Sequence, residues 1–134
     1  MSAQNQARLL LDKAIEDFIL LEETVSNHRI TDAQFGFHAQ QAVEKAIKAW
    51  IWSFGVMPDK THNLEVLGSV LKELTGNVMP ELDVLYALGT FAVVYRYDVF
   101  DWDEPLDRPG ALSNVANLLN RVKIVLSDSE EFAG

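Results

Sequence analysis

The sequence has no cysteine, and its 134 residues include only four prolines and three histidines. Without cysteine there is no disulfide, no thiolate nucleophile and no thiolate metal site. The N-terminal stretch MSAQNQARLL lacks the basic and then apolar segments of a secretory signal. The apolar stretch VLYALGTFAVVY (84–95) has 12 residues, fewer than the roughly 20 needed to span a bilayer. We therefore expect a cytoplasmic protein with no membrane-spanning segment.

Positive charge is also scarce, since 11 Lys and Arg stand against 20 Asp and Glu, for a net charge of -9. Duplex nucleic acid requires a basic face, so we expect no general binding to duplex DNA. A local basic pocket is compatible with this overall charge. Apolar residues make up 49% of the chain, which is enough for one hydrophobic core and argues against disorder.

Apolar residues recur every three to four positions along most of the chain, and this spacing is typical of helices. Thr31, followed three residues later by Gln34, fits a capping box at the start of a helix. The pattern predicts five helices: a first through Val25, a second to about Phe54, a third from about Leu64 to Leu74, a fourth from near Pro80 to about Asp98, and a last marked by Leu112, Val115, Leu119, Val122 and Leu126. We expect the fourth to be buried on most sides.

No strand alternation, repeat or long linker interrupts this pattern. The sequence therefore predicts one all-α domain, an up-and-down antiparallel helical bundle of four to five helices over residues 1–128. Residues 129–134 are expected to be a frayed tail.

Polar residues on the second helix form a stripe on the side away from its apolar residues. It contains His38, Gln41, Lys45, Lys48 and Trp52, at alternating steps of three and four. A solvated face is the simplest interpretation of such a stripe. Trp52 and the two cations also fit a face that contacts a subunit or a ligand.

Arg96 is the only charged residue between Val84 and Tyr97, near the end of the predicted fourth helix. A buried guanidinium needs an anion. That anion is either an internal carboxylate or a ligand phosphate, and the residues alone favour the internal salt bridge.

The segment that follows is acidic, with Asp98, Asp101, Asp103, Glu104 and Asp107. Its spacing does not fit an EF-hand, so we interpret it as a solvated loop whose acids pair with Arg96 or Arg108, and predict no metal site. The sequence also has no phosphate-binding glycine loop and no hydrolase or zinc motif. His62, next to Asn63 before the third helix, is expected to cap that helix or anchor the loop.

Two stretches together resemble the HEPN domain family: FHAQQAVEKAIKAWIWSFGVMPDKTHNLEVL (37–67) and, about thirty residues later, YRYD (95–98). The positions that carry the resemblance are Phe37, His38, Gln40, Gln41, Ala42, Glu44, Lys45, Ala46, Lys48, Thr61, His62, Leu64, Arg96 and Tyr97. The resemblance implies a helical bundle that dimerises and binds nucleotide or RNA. The resemblance implies one of two types of member: a ribonuclease, with four to six residues between an arginine and a histidine, or a non-catalytic partner of a minimal nucleotidyltransferase.

The sequence departs from the ribonuclease pattern. Asp101, Trp102 and Asp103 stand where the histidine is expected, and no histidine follows His62. Asp98 stands where proline often follows the Arg-Tyr pair. Without the histidine, acid-base cleavage of RNA lacks its proton carrier. We therefore expect no catalytic residues.

We expect a non-catalytic nucleotide- or substrate-binding module without cofactor or metal. The resemblance implies a homodimer that partners a minimal nucleotidyltransferase in a toxin–antitoxin-like system. With the resemblance, a ligand phosphate and an internal carboxylate are equally well supported as the anion that Arg96 binds. The predicted ligand-binding residues are Arg96, Tyr97, Tyr95, His38, Gln41, Lys45 and Lys48.

Two alternatives remain open. One is a degenerate ribonuclease toxin that acts on RNA, with His38 or a carboxylate of the acidic loop as its base. The other is a protein-interaction subunit with Trp52 and Trp102 as contact residues.

Overall fold

The computed structural model describes residues 2–77, 79–91 and 105–133, and describes residues 129–133 by their backbone alone. Within these ranges the chain forms α1 (Ala3–Thr24), α2 (Asp32–Ser53), α3 (Leu64–Thr75), α4 (Pro80–Asp83), a 3₁₀ turn (Tyr86–Gly89) and α5 (Arg108–Ala133). The described residues contain helices, turns and loops and no strand. The predicted all-α helical bundle is confirmed.

The helix boundaries follow from local hydrogen bonds that the sequence predicts. The Thr31 hydroxyl accepts a hydrogen bond from the Gln34 backbone N–H at 3.1 Å, and the Gln34 side chain accepts one from the Thr31 N–H at 3.0 Å. This capping box starts α2. Gly76 ends α3 in the left-handed conformation, with φ of 72°, which glycine adopts without steric cost. These ends lie within one or two residues of the predicted ones.

Helix α2 lies at the centre of the bundle and packs against α1, α3, α5 and the 3₁₀ turn. It is therefore buried on more sides than the single apolar face expected from its sequence. Small residues allow its neighbours to approach closely, and Ala39, Ala42, Ala46 and Ala49 are all fully buried. The core also includes side chains from every neighbouring element, among them Leu11, Leu21, Leu67, Leu71, Leu88, Val115 and Leu119.

The predicted continuous fourth helix is wrong for the residues that the structure describes. α4 ends at Asp83, a turn follows at residues 84–85, and the 3₁₀ turn precedes Thr90 and Phe91, which are helical again. The buried residues explain this path, since Leu82, Leu85, Leu88 and Phe91 recur at steps of three. A chain that winds with three residues per turn places all four on one side. The intervening Val84 is 58% exposed, so this segment buries one side only.

The start of α5 is tied to the connection between α1 and α2. The Arg108 guanidinium donates to Asp32 Oδ1 at 2.8 Å and to the backbone carbonyls of Thr24, Asn27 and Ile30. Among the described residues, the carboxylate that pairs with Arg108 is Asp32. Pairing of Arg108 or Arg96 with the acids at 98, 101, 103 and 104 stays a prediction, because those residues lie outside the described ranges. Asp107, the one loop carboxylate within the described residues, accepts from the Gly110 N–H at the start of α5.

The helix α5 continues to Ala133, so fraying of residues 129–134 stays a prediction for the protein in solution. None of the described helices is long and apolar enough to cross a membrane.

Candidate functional site

A buried polar cluster surrounds Glu44 on α2. The Glu44 side chain is 7% exposed, and its Oε1 atom lies 2.9 Å from Nδ1 of His62 and 3.0 Å from Nε2 of Gln40. Its other oxygen, Oε2, accepts a hydrogen bond from the Lys48 ammonium at 3.2 Å. Gln40, Glu44 and Lys48 are spaced by four residues, which places them on one side of the helix. Burying a carboxylate is costly unless it is paired and hydrogen-bonded, and Glu44 is both.

Gln40 connects this cluster to the loop before α3. It is fully buried, its Nε2 lies 3.4 Å from the His62 carbonyl oxygen, and its Oε1 accepts from Gln41 Nε2 at 2.8 Å. On the other side of His62, Asn63 caps α3 by accepting from the Val66 N–H at 3.1 Å. Of the two roles expected for His62, the structure shows loop anchoring, through Glu44 and Gln40, while the helix cap is Asn63. The two parts of the pattern, 37–48 and 61–64, therefore meet at one place.

A second cluster lies where α1 packs on α2. Asp17 of α1 accepts a hydrogen bond from the Lys45 ammonium at 2.7 Å and lies 3.4 Å from Nδ1 of His38. The Asp17 side chain is 14% exposed, while His38 and Lys45 are 33% and 26% exposed. The carboxylate and the lysine of this cluster are more exposed than those of the Glu44 cluster, where Glu44 is 7% and Lys48 16% exposed. The histidines are the reverse, since His62 is 57% exposed.

These contacts divide the predicted stripe of α2 into two groups. His38 and Lys45 meet at Asp17, whereas Gln41 and Lys48 belong to the Glu44 cluster. The stripe is therefore not a plain solvated face, because its side chains are half-buried and paired. Trp52 is also half-buried and packs against the core.

The remaining predicted ligand residues, Arg96, Tyr95 and Tyr97, lie outside the described residues. Trp102 and the acids Asp98, Asp101, Asp103 and Glu104 lie there too. Within the described ranges, no group of three or more His, Asp or Glu side chains is arranged to hold a metal ion.

A groove of about 450 Å³ opens beside the Glu44 cluster. One wall is formed by residues 61–65, and the other by Tyr86, Gly89 and Thr90. Tyr86 lies close to α3 because residue 68 is glycine, and a Cβ at that position would overlap the tyrosine hydroxyl. Sequence reasoning did not identify this groove or Tyr86. The sequence does contain Gly68 and the apolar residues spaced by three from Leu82. These features indicate the groove only once α3 and the segment of Tyr86 are known to pack together.

Comparison with known proteins gives one match. The family model for the HEPN domain matches residues 7–131, nearly the whole chain. No curated protein and no solved structure matches the chain in the other two comparisons. The matched span includes most of α1 and α5, all of α2 and α3, and the groove, so it covers both polar clusters together with the bundle that holds them. The chain belongs to the HEPN domain family.

Proposed function

We propose that the chain is a non-catalytic nucleotide- or substrate-binding HEPN module that works beside a minimal nucleotidyltransferase, in a toxin–antitoxin-like system. Membership of the HEPN family supports a nucleotide- or RNA-related module in general. The observation that carries the proposal is the match over residues 7–131, in which the polar residues of α2 and of the loop before α3 meet beside a groove. A closed network of this kind holds the wall of a binding site rigid.

The non-catalytic part of the proposal rests on how the histidines are used. No histidine follows Arg96 at the spacing of the ribonuclease motif. His62 contacts a buried carboxylate through Nδ1 and anchors a loop. A general base must lie within hydrogen-bond reach of the proton that it removes. Anchoring a loop is a structural role and requires no proton transfer to a substrate.

We assign the ligand phosphate to Arg96, whose planar guanidinium suits a bidentate phosphate contact. Tyr95 and Tyr97 would flank it. His38, Gln41, Lys45 and Lys48 would contribute a second wall. Because Lys45 and Lys48 each bind a carboxylate within the chain, we assign them a smaller share of the phosphate's binding free energy than Arg96.

A panel of nucleotides and short single-stranded RNAs, tested by thermal shift, examines the proposal. A ligand at 100 times its dissociation constant stabilises the folded state by about 2.7 kcal/mol. We expect such a shift in the wild type, its loss in Arg96→Ala, and its retention in Arg29→Ala. Arg29 is exposed at the turn before α2, so its substitution removes the same charge elsewhere.

An equal shift in wild type and Arg96→Ala would show that Arg96 does not hold the ligand. No shift with any ligand, together with a tight protein partner in a pull-down, would replace the binding module by an interaction subunit. Light scattering of the pure protein tests the proposed homodimer, and co-purification with the nucleotidyltransferase tests the proposed partner.

One contact supports a second function, a degenerate ribonuclease. The His38 imidazole lies 3.4 Å from the Asp17 carboxylate and is one-third exposed, and a carboxylate in this position orients an imidazole that acts as a base. Cleavage of labelled RNA by the pure protein, abolished in both His38→Ala and Arg96→Ala, would establish this function. Cleavage that persists in His38→Ala would exclude this histidine as the base.

A further inference from the structure

The groove beside α3 differs in charge from a phosphate site. Its described lining consists of residues 61–65 with Tyr86, Gly89 and Thr90, and these include one carboxylate, Glu65, and neither lysine nor arginine. A phosphate placed there would approach Glu65 with no lysine or arginine among the described lining residues to offset the repulsion. The described groove therefore suits an uncharged group better than an anion.

The groove is also rich in hydrogen-bond acceptors. Nδ1 of His62 lies 2.9 Å from the Glu44 carboxylate, so in the neutral ring the carboxylate holds the proton on Nδ1. The other ring nitrogen, Nε2, then carries a lone pair and accepts. His62 is 57% exposed and lines the groove. The exposed carboxylate of Glu65 adds further acceptors. A matching ligand carries hydroxyl or amino donors.

Tyr86 supplies an aromatic side chain to the same groove. Its half-buried ring lines the groove and packs over Gly68 of α3. Burial raises the pKa of Tyr86 above its ordinary value, and the Asp83 and Glu65 carboxylates raise it further. The side chain therefore stays neutral at physiological pH. A neutral aromatic ring is a surface on which nucleobases stack.

We infer that this groove binds the ribonucleoside part of the nucleotide, with the base on the Tyr86 ring, the ribose hydroxyls donating to Glu65, and the phosphate outside the groove. The inference rests on the proposed nucleotide-binding function and names which part of the ligand each region takes. The wall is preorganised because Gln40 and Glu44 fix the loop of His62 to α2 before any ligand arrives.

Calorimetric titrations with AMP, adenosine, 2′-deoxyadenosine and ribose 5-phosphate test the assignment. We expect adenosine to bind and ribose 5-phosphate to bind much more weakly, because the groove takes the base. Tyr86→Leu should weaken AMP binding about tenfold, the effect of losing one stacked base, whereas Tyr86→Phe should change it less than about twofold because the ring remains. Circular dichroism checks that each variant is folded.

The role of Glu65 has its own matched control. Glu65→Gln should weaken adenosine more than 2′-deoxyadenosine, because only the ribose offers both hydroxyls to the carboxylate. Glu73→Gln removes an exposed carboxylate of the same helix outside this groove and should change neither.

The outcomes separate this inference from the function on which it rests. If AMP binds and depends on Arg96 but is unaffected by Tyr86→Leu, the groove assignment is overturned and the binding module stands. If adenosine fails to bind while ribose 5-phosphate binds, the groove assignment is likewise overturned. If none of these ligands binds the wild type while the thermal-shift panel identifies another nucleotide or RNA ligand that does not depend on Tyr86, the groove assignment is overturned and the binding module stands. If no ligand binds in either experiment, both proposals fail.

Discussion

Two polar clusters involve α2, and in each a carboxylate pairs with one lysine and one histidine. Glu44 is 7% exposed and binds Lys48 and His62, and it also accepts a hydrogen bond from Gln40. Asp17 is 14% exposed and binds Lys45 and His38. The partners are of the same types, but the more deeply buried carboxylate has the additional amide donor. This agrees with the general cost of burying a charge, which rises as water is removed and must be offset by more hydrogen bonds.

The two clusters also connect different parts of the chain. The Asp17 cluster joins α1 to α2, which already share an extensive packed surface. The Glu44 cluster joins α2 to the loop of residues 61–63, whose backbone it holds through the carbonyl of His62. Loss of the first should therefore weaken one contact among many. Loss of the second should release a loop that forms a wall of the groove.

The largest expected effect comes from removing each carboxylate in turn. Glu44→Ala leaves the ammonium of Lys48 partly buried without its anion and the His62 loop without its anchor, so it should lower the free energy of unfolding by about 3–5 kcal/mol. Asp17→Ala should cost about 1–2 kcal/mol, between the values typical of exposed and of buried pairs. Urea denaturation followed by circular dichroism measures both. Equal losses of unfolding free energy in the two variants would contradict the expectation that the more deeply buried carboxylate contributes more to stability.

Much of the fold was predictable from the sequence because its causes are local. The capping box of Thr31 and Gln34, the left-handed Gly76 and the apolar spacing of α1 and α5 each act within a few neighbouring residues. The path of residues 80–91 was not predicted. The apolar residues there fit a helix equally well, and only packing against the core selects the spacing of three.

The candidate site was predicted less well because its contacts connect distant residues. The sequence places His38, Gln41, Lys45 and Lys48 on one side of a helix, and the family resemblance adds His62. Periodicity does not tell which carboxylate approaches which lysine, and Asp17 lies 28 positions before Lys45. Glu44 belongs to the recognised pattern, but its burial depends on the loop that covers it. The roles of Arg96, Tyr95 and Tyr97 stay predictions.

Double-mutant cycles sharpen the comparison, with a smaller expected effect. The coupling of Glu44 to Lys48 should be about 1–3 kcal/mol, because both side chains are shielded from water. The coupling of Asp17 to Lys45 should be below about 1 kcal/mol, because Lys45 is 26% exposed and Lys48 only 16%. The cycles use Glu44→Gln with Lys48→Met, and Asp17→Asn with Lys45→Met.

The two cycles respond differently to salt. The Asp17 coupling should fall between low salt and 1 M sodium chloride, since exposed charges are screened, while the Glu44 coupling should change little. A Glu44 coupling that salt abolishes would contradict a pair protected by burial.

The smallest expected effect concerns Tyr86, an ionisable side chain whose pKa is influenced by burial and by two carboxylates. Burial, then Asp83 and Glu65, raise its pKa above the ordinary 10.0, so the folded protein holds the hydroxyl proton more tightly than the unfolded chain. The stability from this difference is fully present below pH 10 and is lost as the pH rises through the raised pKa. Tyr86→Phe has no such proton to lose. Free energies of unfolding at pH 8 and at several values above 10 should therefore fall more steeply in the wild type than in Tyr86→Phe, and parallel curves would show that the environment of Tyr86 does not disfavour its ionised form.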